Sequence, residues 1–231
     1  MDGIDIKSIL APSPLISDEE IIQRIIKEGF QAYGSLVKRY NQRMFRVARS
    51  VVTDDATAMD IVQDAHIKAY TNLASFQGKG SFAAWIAGIT RNQALMHLRK
   101  HKREVTMGGE EQNILEKLGS EDENIVPNNQ PENALQNQHM QNLINEKLDK
   151  LSEKFRSVFI LRAIEQFSTK ETARILKINE ITVKTRFFRS KRFLRSEIQH
   201  YLDASDMNVY EFGHSKCDIV LLNVLTKISK I

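Results

Sequence analysis

The stretch that decides the fold is STKETARILKINEITVKTRFFRSKRFLRSEIQHYL, residues 168–202. Its pattern predicts a short helix, a turn at Lys177–Asn179, and a longer helix from about Glu180 to Leu202. Ser168 and Glu171 have the spacing of a capping box, in which each side chain bonds the other residue's backbone amide. Three residues give the short helix an apolar side: Ala173, Ile175 and Leu176.

The longer helix is predicted to be apolar on one side and cationic on another. The residues expected to pack inward are Val183, Phe187, Leu194, Ile198 and Leu202. The residues expected on the other side are Lys184, Thr185, Phe188, Arg189, Arg192 and Arg195. From charge alone, a solvated, partner-binding or membrane-surface helix fits equally well. The capped short helix in front of it favours a helix-turn-helix that reads the DNA major groove.

Composition predicts an all-α protein with an uneven charge distribution. The chain has 231 residues, enough for one large domain or two small ones, and its 10 Gly and 4 Pro favour helices over sheets. The formal net charge is only +4, yet residues 104–135 hold eight acids and one Lys, a net charge of −7. An acidic strip between two basic modules is therefore more informative than the total.

Several classes of protein find no support in the sequence. Cys217 is the only cysteine, so no internal disulfide is possible. Neither a signal peptide nor a membrane-spanning apolar run is recognisable, which predicts a soluble, cytoplasmic protein without membrane insertion. We find no phosphate loop, catalytic triad or metal cluster, and so expect no enzyme activity, no catalytic residues and no cofactor. His214 and Cys217 have H-x-x-C spacing, but further ligands are not clustered nearby, so no metal site is expected.

The pattern divides the chain into two small helical domains joined by a flexible acidic linker. Residues 1–16 are expected to be a loose lead-in. Residues 17–103 are expected to form about four helices: a short one capped by Ser17, one from Phe30 to Val52, one starting at Thr53–Asp55, and one capped by Ser81. The linker is 104–134, where Gly, Pro, Asn, Gln and Glu accumulate and Ile114–Leu118 allows one short helix. The second domain, 135–202, adds two helices before the helix-turn-helix.

The sequence of the C-terminal extension, 203–231, predicts an amphipathic helix after a loop at Tyr210–Ser215. Alone it could not bury its apolar side, so it should dock on a domain or on a partner.

With both domains placed, the chain resembles a bacterial RNA polymerase sigma factor of the extracytoplasmic-function (ECF) subfamily. The resemblance covers roughly residues 30–103 and 140–200, and the order of the modules also agrees. DIVQDAHIKAY followed by FQGKGSFAAWIAGITRNQALMHLRKHKR resembles the family's second region. LDKLSEKFRSVFILRAIEQFSTKETARILKINEITVKTRFFRSKRFLR resembles its fourth region.

The resemblance implies a role for particular residues. The polar patch that grips the clamp helices of the polymerase's largest subunit corresponds to Asp60, Gln63 and Asp64. The candidates for capturing the −10 element are Phe76, Lys79, Arg91, Asn92 and Arg99, while Trp85 fits core packing or base contact. The −35-reading positions correspond to Lys184, Thr185, Phe188 and Arg189, with Thr182 and Arg192 better placed for phosphates. The sequence departs from the family at Lys177, where a Gly is frequent, at Gly88, where an Arg is common, and at Met96, where an Asp is frequent.

The implied function is that of a sigma factor. It binds core RNA polymerase, directs it to promoter DNA and promotes melting of the start region. The alternatives are a stand-alone helix-turn-helix transcriptional regulator, which would bind DNA without polymerase, and an adaptor or anti-sigma-like protein whose basic faces a partner covers. The first module argues against both. Members of the family usually await release by an anti-sigma factor. The sequence identifies none, and the C-terminal extension is a second candidate for that role.

Overall fold

The computed structural model describes residues 16–76, 78, 80–107, 132–197 and 214–229, with side chains described outside 102, 104–107, 132–140 and 214–218. Within these residues the fold is all-α, as predicted, and contains no strand. The helices are α1 (Asp18–Glu28), α2 (Tyr33–Arg49), α3 (Asp55–Thr71), α4 (Phe82–Met107), α5 (Glu132–Asp149), α6 (Glu153–Phe159), α7 (Thr169–Leu176), α8 (Glu180–Glu197) and α9 (His214–Ile228). None of the described helices combines the length and apolar character needed to cross a membrane.

Capping residues set the starts of α1, α3 and α4, as the sequence indicated. The Ser17 hydroxyl accepts from the Glu20 amide at 3.2 Å, and the Asp54 carboxylate accepts from the Thr57 amide at 2.6 Å. The Ser81 hydroxyl likewise accepts from the Ala84 amide at 3.2 Å. The single helix expected from Phe30 to Val52 was wrong at both ends, because Phe30–Ala32 forms a 3₁₀ turn and α2 ends at Arg49.

Helices α1 to α4 enclose one hydrophobic core. The fully buried side chains of α2 include Tyr33, Leu36, Val37, Met44 and Phe45. Alanines supply half of the buried positions of the other two long helices: Ala58, Ala65 and Ala69 of α3, and Ala83, Ala84, Ala87 and Ala94 of α4. Small side chains allow two helix backbones to approach closely, which explains the tight association of α3 with α4.

A buried histidine joins α3 to α2. The His66 side chain is fully buried, with its Nε2 2.9 Å from Asn41 Oδ1 and its Nδ1 3.3 Å from the Tyr33 hydroxyl. The same hydroxyl donates to the His66 carbonyl at 3.0 Å. Burial lowers the pKa of His66 to about 3, so the imidazole stays neutral in the folded protein at neutral pH.

This histidine predicts a specific loss of stability in acid. The unfolded chain protonates His66 near pH 6.5 and the folded chain only near 3, so the unfolded state binds the extra proton between these values. The free energy of unfolding should therefore fall by up to about 1.4 kcal/mol per pH unit through this group as the pH drops below about 6.5. We expect His66→Gln to flatten that slope in denaturant titrations between pH 6 and pH 4. The matched control His97→Gln, at an exposed α4 residue, should keep the wild-type slope. Equal slopes for the wild type and His66→Gln would contradict the prediction.

The second group of helices, α5 to α8, contains the predicted helix-turn-helix. Helix α6 continues into a π-helical turn at Ile160–Ile164 and leads to α7. The predicted capping box is confirmed: the Ser168 hydroxyl accepts from the Glu171 amide at 3.1 Å, and the Glu171 carboxylate accepts from the Ser168 amide at 2.9 Å. Lys177 ends α7 with φ 54° and ψ 46°, the left-handed region that favours the glycine expected here.

The two groups of helices contact each other through buried polar groups. Arg43 and Arg46 of α2 contact the buried Glu165 carboxylate at 2.6 and 3.2 Å. Arg49 contacts Asp149 of α5 at 3.0 Å, and Arg156 of α6 donates to the Ser50 carbonyl at 3.0 Å. Glu165 and Arg156 are buried and would lose these partners if the two groups separated, so the contacts favour one particular arrangement of the two groups.

The linker and the tail differ in part from expectation. Helix α4 continues to Met107 and α5 begins at Glu132, so both ends of the predicted linker 104–134 are helical. Residues 108–131, including Ile114–Leu118, lie outside the described residues, as does the lead-in 1–15. The predicted tail helix is present as α9, but it starts at His214, within the loop expected at Tyr210–Ser215. As expected for its apolar side, α9 docks on a domain, against α2 and α3.

Candidate functional site

The candidate recognition helix α8 has the two faces that the sequence predicted. Val183 and Leu194 are buried and Phe187 is half-buried against the core, while Ile198 and Leu202 lie outside the described residues. The exposed residues are Lys184, Thr185, Phe188, Arg189, Arg192 and Arg195. All four side chains expected to read bases are therefore exposed to solvent, which is the arrangement that a major-groove helix requires.

A shallow groove of about 350 Å³ begins at the N-terminus of α8 and has Arg189 on its wall. Thr182 is half-buried in it, and the Asn179 side chain caps the helix by accepting from the Thr182 amide at 2.7 Å. Its remaining lining residues are Lys154, Phe155, Ile181, Thr185 and Arg186. A groove with Lys and Arg side chains at a helix N-terminus suits a phosphate group.

Sequence reasoning missed Ile181, which is 77% exposed beside that groove. Ile181 precedes the buried Val183 by two residues, and at about 100° per residue this places it on nearly the opposite side of α8. That spacing is the signal in the sequence that identifies Ile181 as exposed. Together with Phe188, 69% exposed, Ile181 supplies apolar surface on a helix that otherwise presents charges.

The second candidate site is an aromatic-walled cavity of about 370 Å³ at the junction of α4 and α7. The rings of Phe76, Phe82 and Trp85 form a cluster with centroids 5.3–5.4 Å apart. Phe76, Trp85 and Asn92 line one wall, and Arg174 and Ile175 of α7 line another. Gly88 also lines the cavity, where an added Cβ would meet nothing within 4 Å. Flat apolar faces beside an amide group can hold a nucleic-acid base by stacking and hydrogen bonding.

The other predicted −10 residues are dispersed. Arg91 is directed toward α6, with its Nη2 3.8 Å from Glu153 Oε1 and its buried Nε without a hydrogen-bond partner. Burial lowers the pKa of the Arg91 guanidinium from its ordinary value. Arg99 is exposed two helical turns beyond Asn92, and Lys79 lies outside the described residues.

The predicted polymerase-binding patch lies on α3. Asp60 and Asp64 are exposed and one helical turn apart, so their carboxylates project from the same side of the helix. Gln63 is only 8% exposed, so it is less accessible than the sequence predicted.

Comparison with known proteins identifies both halves. The family model described as Sigma-70 region 2 matches residues 36–104, and the model described as Sigma-70, region 4 matches residues 141–194. The ECF RNA polymerase sigma factor SigW of Bacillus subtilis is 30% identical over 175 residues, covering 75% of this chain and 93% of SigW. The chain belongs to the ECF family of sigma factors. It is a subunit that gives RNA polymerase promoter specificity at transcription initiation.

Two further similarities cover nearly the whole of the known proteins. The ECF RNA polymerase sigma-E factor of Escherichia coli K12 is 28% identical over 189 residues, 81% of this chain and 97% of that protein. The second is the sigma factor RpoE from Bartonella quintana, whose crystal structure in complex with the anti-sigma factor NepR superposes on this chain with a TM-score of 0.57. The two sequences are 25% identical, and the match covers 77% of this chain and 99% of RpoE.

The two family models also bear on the alternatives. A stand-alone helix-turn-helix regulator is not favoured, because both the region 2 model and the region 4 model match the chain, in the expected order. Within the sigma factor, α3 and most of α2 and α4 lie in region 2, and α6, α7 and most of α8 lie in region 4. Helices α1 and α9 lie outside both matched stretches. Among the described residues no cluster of His, Cys, Asp and Glu could hold a metal ion, and the side chains of His214 and Cys217 are outside that part.

Proposed function

We propose that this sigma factor recognises promoters with two separate surfaces and binds core polymerase with a third. The observation that carries the proposal is the presence in one chain of an exposed cationic helix face within region 4 and an aromatic-walled cavity beside region 2. The proposed domains are 17–103 and 135–202, joined by the linker 104–134. Residues 1–16 are a lead-in and 203–231 a C-terminal extension.

The first surface is the exposed side of α8, which we assign to the −35 element. Lys184, Thr185, Phe188 and Arg189 contact base edges, and Thr182 and Arg192 contact phosphates. A guanidinium can bond both acceptors of a guanine in the major groove, and an apolar side chain can contact a thymine methyl group. Phe188 suits the second role because its ring is exposed among cations rather than buried.

The second surface is the cavity beside Phe76, which we assign to the −10 element. Opening a duplex without ATP requires an unstacked base to be held outside the helix, and unstacking costs a few kcal/mol. Stacking on an aromatic side chain contributes about 1–3 kcal/mol per base, which offsets most of that cost. Phe76 supplies a ring and Asn92 an amide, while Lys79, Arg91 and Arg99 follow the strand backbone.

The position of region 4 against region 2 suits the sigma factor before it engages a promoter. Arg174 and Ile175 of region 4 form one wall of the cavity, and a Cβ at Gly80 would lie only 2.9 Å from the Arg174 guanidinium. Arg91 is held beside Glu153. A single DNA strand can pass along α4 only after region 4 moves away, which releases Arg91 from Glu153.

The third surface is the patch of Asp60, Gln63 and Asp64, which binds core polymerase. Two carboxylates and an amide suit the basic coiled coil that the family resemblance implies as their target. The protein acts in the cytoplasm as a binding factor and leaves the chemistry of polymerisation to the polymerase. Because RpoE of Bartonella quintana has a structure with an anti-sigma factor, an anti-sigma factor is a further partner to seek for this chain.

Electrophoretic mobility shifts with promoter fragments test the proposal against a stand-alone regulator. We expect the purified protein to shift promoter DNA specifically only when core polymerase is present, and to co-elute with core polymerase in the absence of DNA. Tight, sequence-specific binding without core polymerase, and no co-elution, would favour the stand-alone regulator.

A further inference from the structure

Helix α9 is an addition to the two matched regions of this sigma factor. It lies beyond residue 194, where the region 4 match ends, yet it packs against helices of region 2. Its buried side chains are Val220, Leu221, Val224, Leu225 and Ile228. Five buried apolar residues on one side of a 15-residue helix define a docking face and exclude a freely solvated tail.

The docking position of α9 is a groove formed by α2, α3 and the 3₁₀ turn Phe30–Ala32. The helices that pack most against α3 are α2, α4 and α9. His66 and Tyr70 of α3 meet Tyr33 of α2, with the Tyr33 and Tyr70 ring centroids 5.3 Å apart. The row of buried alanines on α3 suits the close approach of α4. Met59, Gln63 and Ile67, each one turn from the next, form a further covered side of α3.

That side adjoins the surface assigned to core polymerase. Residues three and four apart are neighbours on a helix, so Gln63 adjoins Met59, Asp60 and Ile67, and Asp60 in turn adjoins Asp64. Gln63 is 8% exposed although it is polar, whereas both aspartates are exposed. Burial of Gln63 follows if α9 covers this side of α3.

We propose that α9 covers the side of α3 that carries Gln63 and competes there with core polymerase, so that α9 must leave its groove before polymerase can reach Gln63. The inference rests on the proposed role of Asp60, Gln63 and Asp64. The apparent affinity of a protein for its partner is reduced by the fraction of molecules in the competent state. A docked α9 therefore weakens polymerase binding without any second protein, and whatever displaces α9 increases it.

Two adjacent leucines of α9 provide a matched pair of variants. Leu221 is 2% exposed and Leu222 is 39% exposed, so an aspartate is unfavourable in the groove at 221 and tolerated in solvent at 222. The full-length variants Leu221→Asp and Leu222→Asp are titrated over immobilised core polymerase. We expect Leu221→Asp to bind at least about fivefold more tightly than the wild type, and Leu222→Asp to bind like the wild type. Equal affinities for all three proteins would overturn the proposal.

Hydrogen exchange of the unaltered protein supplies a second test that does not depend on how Leu221→Asp folds. We expect the backbone amides of residues 220–228 to be protected in the free sigma factor and to exchange faster once core polymerase is bound. Unchanged protection of these amides in the complex would show that α9 stays docked, and would overturn the proposal.

The variant Asp64→Lys separates failure of this inference from failure of the proposed binding patch. If Asp64→Lys weakens polymerase binding while Leu221→Asp leaves it unchanged, the patch stands and the competition is wrong. If Asp64→Lys has no effect, the patch itself is wrong and the competition loses its basis. Weaker binding by Asp64→Lys together with tighter binding by Leu221→Asp supports both.

Discussion

Replacing Arg189 with Ala is expected to reduce initiation at the cognate promoter by about 5- to 150-fold. This range corresponds to the loss of one bidentate base contact, about 1–3 kcal/mol. The Arg189 side chain is exposed on α8, so its removal should leave the fold intact. The affinity for core polymerase should not change, because the proposed polymerase-binding patch lies on α3.

The effect of Arg189→Ala must be distinguished from a general loss of positive charge. Lys150→Ala is the matched control: it removes one cation from the same domain, at an exposed position just after α5 that is ion-paired to Glu146 and outside the base-reading residues of α8. We expect Lys150→Ala to retain nearly full promoter use. If Arg189→Ala weakened core binding as much as promoter use, the proposed division of labour between the two domains would be wrong.

The second large effect is expected for Asp64→Lys, which should weaken binding to core polymerase by at least about 30-fold. The change removes an attractive charge and places a cation against a basic target, and a like-charge juxtaposition across an interface costs several kcal/mol. Asp64 is exposed on α3, so no internal contact is expected to be lost. Binding is measured by titrating the variant against core polymerase.

Glu28→Lys controls for the change in net charge. It makes the same reversal at an exposed residue at the end of α1, where a cation is compatible with the helix dipole. We expect its affinity for core polymerase to be near that of the wild type. Wild-type affinity in Asp64→Lys would remove Asp64 from the interface.

Local features of this fold could be predicted because local chemistry determines them. The capping box at Ser168 and Glu171 depends on residues three apart, and it forms as expected. The apolar and cationic sides of α8 follow from a period of 3.6 residues, and they too are as expected. Lys177 adopts the left-handed conformation that a turn normally assigns to glycine, as its position in the motif suggested.

Contacts between distant residues could not be predicted in the same way. The ion pair of Arg43 with Glu165 joins residues 122 apart, and no periodic pattern specifies such a partner. Arg91 was predicted as a DNA-binding residue from its motif, but the structure directs it toward Glu153 of α6. The burial of Gln63 depends on helices that come from elsewhere in the chain, so its own residue type could not indicate it.

The C-terminal tail combines a feature that could be predicted with one that could not. Its helical periodicity predicted α9 and the need for a docking surface, and both are present. The docking site could not be predicted, because a stripe of Val, Leu and Ile fits many apolar grooves and does not specify one of them. The choice of the groove on α2 and α3 depends on the shape of the folded region 2.

The most direct test of promoter recognition by this sigma factor is run-off transcription. Purified core polymerase from the host is supplied with a pool of genomic promoter fragments, with and without this protein. We expect transcripts with defined start sites that appear only when the protein is added, and whose templates share a common sequence at −35 and −10. The opposite result has three parts: the protein does not co-purify with core polymerase, no transcript depends on its addition, and it binds specific DNA by itself. That result would contradict its assignment as the promoter-recognition subunit.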